Sequence, residues 1–376
     1  MANTLTALAP VLFSAAQEVS NEAFGIVDSI NAMFNDKGAA KGDNILVPVA
    51  PIRAATDFSP ANVSTAGDDA IAKNVTVTIS QSKKVSWHLT GEQIRSLDNG
   101  AESAEWSRQL VAQGMRTLRN LAEADAATAI KQGSSRAIGT AGTTPFGSDI
   151  NLFAQAYKEL KDNGAPMSDL QFCIDTSAGF NLRKLGIIQQ AYQAGSEEER
   201  RTGQLLRQFG FRIQESAGIS LHTKGTGSAY VTSGSTAVGV TDIAMVTGAN
   251  TILAGDVVTF AADTNNKYVV GTGITAPGTI SLNRPGAKVV IATANALTVG
   301  NNYMPNVAFE RSAVVGIMRP PVIPENPTIK QLLISDSRGM TYLLLDIAQY
   351  GQRTWELHLA YGFKVVQPEH VVTVMG

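Results

Sequence analysis

The clearest pattern of apolar positions in the chain lies between residues 99 and 133. Large apolar side chains recur there every three or four residues, as in Trp106, Leu110, Leu118 and Leu121, which predicts one amphipathic helix. Asn99 with Glu102 can form a capping box at its start, and Gln132-Gly133 is a stop signal. About 32 residues at about 1.5 Å each span about 48 Å. We therefore expect a spine helix lying across a domain; the alternative is a coiled-coil strand, which the many alanines after residue 121 disfavour.

Two segments precede this helix. Residues 1–42 carry apolar positions at helical spacing from Leu8 to Phe34, which predicts a helical arm that needs a partner surface. Residues 43–86 read as a strand at 45–49, a polar stretch at 57–72 and an alternating strand at 74–80. This pattern predicts an extended hairpin with a long polar tip.

The patterns after the helix predict a mixed α and β region, a small β module and a final set of strands. The elements expected in residues 145–221 are helices at 150–163 and 178–185, strands at 171–174 and 209–213, and a solvated helical face at 197–201. Residues 222–304 have sparse charge and short strands between turns, which favours an inserted β-barrel. Its strands are expected at 230–231, 243–246, 256–260, 268–270, 280–282 and 289–291. In residues 305–376 we expect a strand at 308–318, a hairpin of 341–347 with 355–363, and a last strand at 364–374.

Charge and cysteine content narrow the class of protein. Charged residues are 16% of the chain, below the usual ~25%, which fits surface that is buried against other subunits; a neutral, Thr- and Gly-rich β protein fits equally well. The net charge of −2 provides no global basic field for nucleic acid. The single cysteine, Cys173, excludes an internal disulfide, and we expect a buried, inert thiol. The first basic side chain is Lys37 and no run of 18 apolar residues occurs, so we expect neither a secretory signal nor a membrane span.

Residue types that carry chemistry are present but do not form motifs. The four histidines, His88, His222, His358 and His370, lack metal-ligand spacing. Neither Gly225-Thr226-Gly227 nor Gly271-Thr272-Gly273 continues into a phosphate-binding motif, and Asp68-Asp69 lies in the polar tip. The spine helix carries a basic set interleaved with acidic residues, which favours an exposed, salt-bridged face over a phosphate-facing stripe: Arg108, Arg116, Arg119 and Lys131 with Glu105, Glu123 and Asp125. We therefore expect no catalytic, cofactor-binding or metal-binding residues, and no enzyme.

Four motifs follow one another in an order that resembles a known family. They are Gln171-Phe172-Cys173-Ile174-Asp175 with Phe180-Asn181-Leu182; Phe209-Gly210-Phe211-Arg212-Ile213 with Ser220-Leu221; Thr247-Gly248 with the run from Leu253 to Phe260; and the run from Leu359 to Phe363 with Gln367-Pro368-Glu369-His370-Val371-Val372. Together with the element order, they are similar to the major capsid proteins of tailed bacteriophages, the Hong Kong 97 fold. The likeness is greatest to short-tailed-phage coat proteins with an inserted β-barrel domain.

The resemblance implies an α+β, Hong Kong 97-type capsid fold built from five parts. These are an N-terminal arm at 1–42, an extended hairpin loop at 43–86, a peripheral domain with the spine helix at 87–135 and 330–365, an axial α/β domain at 136–221, 305–329 and 366–376, and an inserted β domain at 222–304. It also implies a subunit that assembles into the icosahedral head of a tailed double-stranded DNA phage and encloses the genome.

The expected partners follow from the same resemblance. They are identical subunits in hexamers and pentamers, a scaffolding protein, a portal, decoration proteins, and packaged DNA without sequence-specific contact. The expected location is the virion, with assembly in the host cytoplasm. The alternatives are a carbohydrate-binding module or enzyme that uses the β insertion, and an encapsulin-like shell that loads protein cargo.

Overall fold

The computed structural model describes residues 14–19, 25–34, 37–49, 73–98, 103–186, 207–324, 329–336 and 339–376, and strands dominate this part of the chain. The helices are α1 Gly91–Asp98, α2 Ser103–Gly133, α3 Asn151–Asp162 and α4 Thr176–Lys184, and residues 14–19 are also helical. The strands are β1 Asn31–Phe34, β2 Asn44–Val49, β3 Lys73–Thr78, β4 Gln81–Thr90, β5 Arg136–Gly139, β6 Leu170–Ile174, β7 Phe211–Glu215, β8 Ser228–Thr232, β9 Asp242–Ala249, β10 Val257–Phe260, β11 Asp263–Thr272, β12 Thr279–Leu282, β13 Ala296–Val299, β14 Pro305–Glu310, β15 Val314–Arg319, β16 Ile329–Ser335, β17 Thr341–Gln349, β18 Gln352–Val365 and β19 Val371–Met375. The predicted α+β class is confirmed.

The first sheet carries the spine helix. Its order is β1-β15-β18-β17-β16, and β4 pairs along β18. The 31 residues of α2 span about 46 Å, and its apolar face, including Met115 and Leu118, packs on Leu357, Leu359 and other residues of this sheet. Gly133 ends the helix where a Cβ atom would stand 2.5 Å from the Val365 Cβ. The spine helix predicted from periodicity is confirmed; its expected cap, Asn99 with Glu102, lies outside the described residues.

The second sheet joins an α/β layer to a barrel. Strands β7-β6-β14-β19-β5 run side by side, and α3 and α4 bury Phe153 and Leu182 in its core. Strand β5 pairs with β11, and β11 belongs to a closed ring of six strands in the order β10-β13-β8-β9-β12-β11. The ring encloses an apolar core that includes Tyr230, Phe260 and Tyr268. The small barrel predicted within residues 222–304 is confirmed.

Several predicted elements were wrong in detail. The strand expected at 308–318 is two strands in different sheets, β14 and β15, because the Glu310 carboxylate caps the turn Arg311–Ala313 by accepting the Ser312 N–H at 3.0 Å. The strand expected at 289–291 forms only a bridge to Thr236, and β13 lies later in the chain. The last predicted strand breaks at the turn Pro368–His370, where proline has no N–H to donate. Strand β16 was not predicted.

The N-terminal segment differs most from expectation. Residues 31–34 form a strand parallel to β15, so the helix predicted to extend to Phe34 is wrong; pairing with a sheet edge overrides the helical periodicity. Ala15, Ala16 and Val19 are buried against α2. The described part of the predicted arm therefore packs on its own chain and does not project in search of a partner.

The predicted hairpin has both of its strands. Strands β2 and β3 pair antiparallel from Asn44–Thr78 to Val49–Lys73. The base of the hairpin lies on β18, where a Cβ atom on Gly362 would stand 2.1 Å from the Thr78 carbonyl oxygen. The polar tip at 57–72, with Asp68-Asp69, and the helical face predicted at 197–201 lie outside the described residues.

Candidate functional site

The basic residues of the spine helix hold the N-terminal segment. Arg108 and Arg116 both pair with Glu18, the latter at 2.8 Å. Arg119 is fully buried, donates from Nη1 to the Val19 carbonyl at 3.2 Å, and lies 3.7 Å from the Asp28 carboxylate. The face predicted to be solvent-exposed is therefore an intramolecular contact, and these arginines are engaged by carboxylates where a phosphate-facing stripe would need them accessible.

Two acidic residues of α2, Glu123 and Asp125, bind groups outside the helix. The buried Glu123 carboxylate accepts the backbone N–H groups of Ile26 and Val27 at 2.5 and 2.9 Å. Asp125 accepts the Tyr361 hydroxyl at 2.9 Å, and burial lowers the pKa of Lys131. The partners lie 96 to 236 residues away in the sequence, so neighbours along one helix could not reveal these contacts.

His222 lies at the neck of the barrel, the place where it bridges to Tyr303 and the chain enters and leaves the module. Its Nε2 lies 2.8 Å from Oδ1 of Asp256, which is fully buried. The same carboxylate accepts the N–H groups of Leu253 at 2.8 Å and Gly225 at 3.0 Å. With three partners the Asp256 carboxylate is satisfied, and it fastens the start of the insertion to its first turn.

The other three histidines differ in burial and in their contacts with carboxylates. His358 lies 3.1 Å from Glu356, which pairs with Lys84 at 2.7 Å. Burial lowers the pKa of His358 and of His370, against the raising effect of nearby carboxylates. His88 lies exposed on β4. Within the described residues, no group of three or more His, Cys, Asp or Glu side chains could hold a metal ion.

Cys173 is buried in β6. Burial raises the pKa of its thiol to about 12. The expected inert thiol is the state this environment favours, because the thiolate is the reactive form.

Two clefts in the second sheet and its barrel are large enough to hold a small molecule. One of about 630 Å³ lies between β5, the loop 140–149 and α3, and is lined by hydroxyl side chains together with Lys158, Glu159 and Lys267. Lys267 already donates to the Gly139 carbonyl, and Lys158 pairs with Asp162 at 2.9 Å. The other, about 540 Å³ on the barrel between residues 251–254 and 273–278, has two threonine hydroxyls and no ionisable side chain in its lining. Convergent polar groups, which a carbohydrate site or active site in the insertion requires, are not found in this barrel cleft.

Exposed apolar side chains mark candidate association surfaces. Leu46 is 60% exposed on the outer face of the hairpin, whose inner face carries the half-buried Ile45 and Val47. Other aliphatic side chains that are at least half exposed are Leu221, Val238, Val246, Val290, Val322 and Leu333, and the aromatic ones are Phe180, Phe209 and Tyr350. Large exposed aliphatic groups of this kind are typical of surfaces that bind another macromolecule when they cluster. No helix within the described residues is long and apolar enough to cross a bilayer.

Comparisons by sequence find no relatives. No protein-family model matches the chain, and no curated protein matches it.

Most of the solved structures that match come from phages or their capsids, and a virus-like particle from Pyrococcus furiosus is also among them. A chain of the capsid structure of the cyanophage P-SCSP1u is similar over 94% of this chain and 89% of its own, with a TM-score of 0.50 and 13% identity. A chain of the mature capsid of bacteriophage PhiM1 matches 94% of this chain and 87% of its own (TM-score 0.49, 11% identity). A chain from Mycobacterium phage Che8 matches 89% and 85% (TM-score 0.48, 17% identity). The resemblance to tailed-phage capsid proteins is thus confirmed at the level of the fold: the chain has the same fold as the cyanophage capsid chain.

Proposed function

We propose that this chain is the major capsid protein of a tailed double-stranded DNA bacteriophage and that copies of it assemble into the icosahedral head. The observation that carries the proposal is the shared fold with the cyanophage capsid chain over 94% of this chain. The low charge of the sequence, 16%, agrees with extensive contact between subunits. The role is structural, without catalysis.

The sheets suggest how the subunit is divided. We assign α2, β4 and β15–β18 to a peripheral domain, and β5–β7, β14, β19, α3 and α4 to an axial domain. Strands β8–β13 form the inserted barrel. The boundary between peripheral and axial parts then falls at the turn Arg311–Ala313, inside the segment 305–329 that the sequence assigned wholly to the axial domain.

We assign the contact between neighbouring subunits to the hairpin and to the exposed apolar groups of the barrel. A shell subunit must satisfy several identical neighbours in closed symmetry, in hexamers and pentamers. Scaffolding, portal and decoration proteins are the further partners we propose. Contact with packaged DNA is expected to be weak and independent of sequence, since the net charge is −2.

Imaging of the purified protein tests the proposal. Negative-stain micrographs of the chain, co-expressed with a scaffolding protein where required, should show closed shells or capsomers. Nuclease-treated particles should contain double-stranded DNA when they come from infected cells; a protein cargo in place of DNA favours the encapsulin-like alternative. Monodisperse monomers under every assembly condition contradict the proposal.

Two hairpin variants test where the subunits meet. Deleting residues 57–72 should leave the free chain folded. Replacing Leu46 with Ser should leave its far-UV circular dichroism and melting unchanged, because Leu46 is already 60% exposed. Particle yield should fall in both. The matched control is Tyr350→Ser, at a fully exposed turn residue of the β17–β18 hairpin. Normal particle yield from both hairpin variants would place the contact elsewhere.

A further inference from the structure

The turn at residues 25–30 lies where the two sheets meet. The chain leaves the second sheet at the end of β14, turns at Arg311–Ala313, and enters the first sheet as β15. Ile26 and Ile30 are fully buried beside this corner. Their apolar cluster includes Val307 and Phe309 of β14 on one side and Val314 of β15 on the other.

Contacts with the axial side are close. A Cβ atom on Gly25 would stand 2.6 Å from the Glu215 carbonyl oxygen and 2.8 Å from the Ser216 Cβ, at the end of β7. No side chain larger than hydrogen fits there without displacing the turn or the strand end. The turn therefore abuts the axial sheet directly.

The turn also contacts the first sheet, on the peripheral side. The chain continues from the turn into β1, which pairs with β15 from Asn31–Val315 onward. A Cβ atom on Gly316 would stand 2.7 Å from Cδ1 of Ile30. One short turn thus contacts both sheets where the chain crosses between them, from β14 to β15 and again from β18 to β19.

Two charged side chains hold the turn, one near its start and one near its end. Glu123 of α2 accepts the N–H groups of Ile26 and Val27, and is 3% exposed. Arg311, in the corner itself, donates to the Asp28 carbonyl at 2.9 Å and to the Ile30 carbonyl at 3.3 Å. Its Nη1 also lies 3.7 Å from Asp169, just before β6. Charge-assisted hydrogen bonds to backbone groups are stronger and more directional than neutral ones, so they fix the turn relative to the spine helix and to the corner.

We propose that residues 25–30 are a hinge wedge that sets the angle between the peripheral and axial sheets, with Glu123 and Arg311 as its positioning residues. In a shell, that angle determines how a subunit meets its neighbours, so the wedge determines the curvature and diameter of the particle. This last step rests on the proposed function; the control of the sheet angle does not.

Two variants weaken the wedge by different means. Gly25→Ala crowds the axial side by the distances given above. Glu123→Gln keeps the size of the side chain and one accepting oxygen, but an amide nitrogen replaces the second acceptor. The matched control for the first is Gly91→Ala, because a Cβ atom at Gly91 meets nothing within 4 Å. Should Gly25→Ala fail to fold, Glu123→Gln and Arg311→Gln carry the test.

Hydrogen exchange of the full, unassembled chain measures how often the turn and the two sheet ends beside it open. We expect exchange to rise about tenfold or more at residues 26–27, and also at the corner 311–314 and at 211–216, while Gly91→Ala leaves all three unchanged. An increase confined to 25–34 overturns the proposal, because the turn would then merely rest on the surface. Electron microscopy of particles should show a shifted or broadened diameter for the wedge variants.

The two proposals fail in different ways. If the wild-type chain forms shells and the wedge variants form shells of identical, uniform diameter, the role in curvature is wrong and the capsid function stands. If the wild-type chain forms no shells, the capsid function is contradicted, and hydrogen exchange alone decides the wedge.

Discussion

Leu118 offers the sharpest test of how the spine helix is packed. Its side chain is fully buried between the first sheet and the N-terminal segment. Leu118→Ala removes three buried carbon atoms, a transfer loss of about 2.4 kcal/mol at about 0.8 kcal/mol per carbon. The cavity left behind raises the expected loss in unfolding free energy to about 3–5 kcal/mol.

Leu121, one turn further along the same helix, is the matched control. It is 44% exposed, so Leu121→Ala should cost only about 1 kcal/mol, since water fills the space that the side chain leaves. Urea unfolding of the unassembled chain, followed by circular dichroism, measures both. Costs that agree to within about 1 kcal/mol would refute the placement of the helix. Leu118→Asp, which buries an unpaired carboxylate, should leave the chain insoluble.

Three further outcomes are expected. The folded-state pKa values of His358 and His370 are lowered by burial, so the unfolded chain binds more protons, and stability should fall as the pH drops below about 6.5; His370→Gln should reduce that slope in urea titrations, and an unchanged slope would contradict it. Asn283 donates to the Gln132 and Ser134 carbonyls at 2.7 Å and so caps the end of α2. Asn283→Ala should lower the unfolding free energy by about 1–3 kcal/mol and raise hydrogen exchange at the end of α2; exchange at the wild-type rate there would show that Asn283 does not cap the helix. Asp256→Asn replaces one carboxylate oxygen, which now accepts backbone N–H groups of Gly225 and Leu253, with an amide nitrogen that can only donate. It should therefore lower the melting temperature more than His222→Gln does; equal effects would contradict this ranking.

Elements with a long, regular pattern could be predicted from sequence. The spine helix, the hairpin strands and the barrel each carry a local signal: 3.6-residue periodicity, alternation, or short apolar runs between turns. Only the short polar triplet Glu310-Arg311-Ser312 separates β14 from β15 in the sequence. Both strands are almost entirely buried and lack alternation, so this triplet was not enough to predict two strands. The cap by Glu310 that separates them depends on a single side chain.

The N-terminal segment shows the limit of local reasoning. Its apolar spacing suits a helix, yet residues 31–34 pair with a strand nearly 300 positions later. Likewise, charged residues on α2 looked solvated because only their neighbours in sequence could be considered. Arg119 and Glu123 instead bind backbone groups of a segment about 100 residues away. Only the tertiary structure shows that these side chains are buried and that Glu123 and Arg311 hold the turn at residues 25–30.

The neck of the barrel has a practical consequence for engineering. The chain enters and leaves the module at His222 and Tyr303, which exchange backbone hydrogen bonds at 2.9 and 3.3 Å, so the two ends are about 5 Å apart. A foreign domain whose termini lie equally close could be grafted between them. Such a graft would also have to supply an amide donor for the Gln132 and Ser134 carbonyls, because Asn283, which now occupies that position, would leave with the barrel.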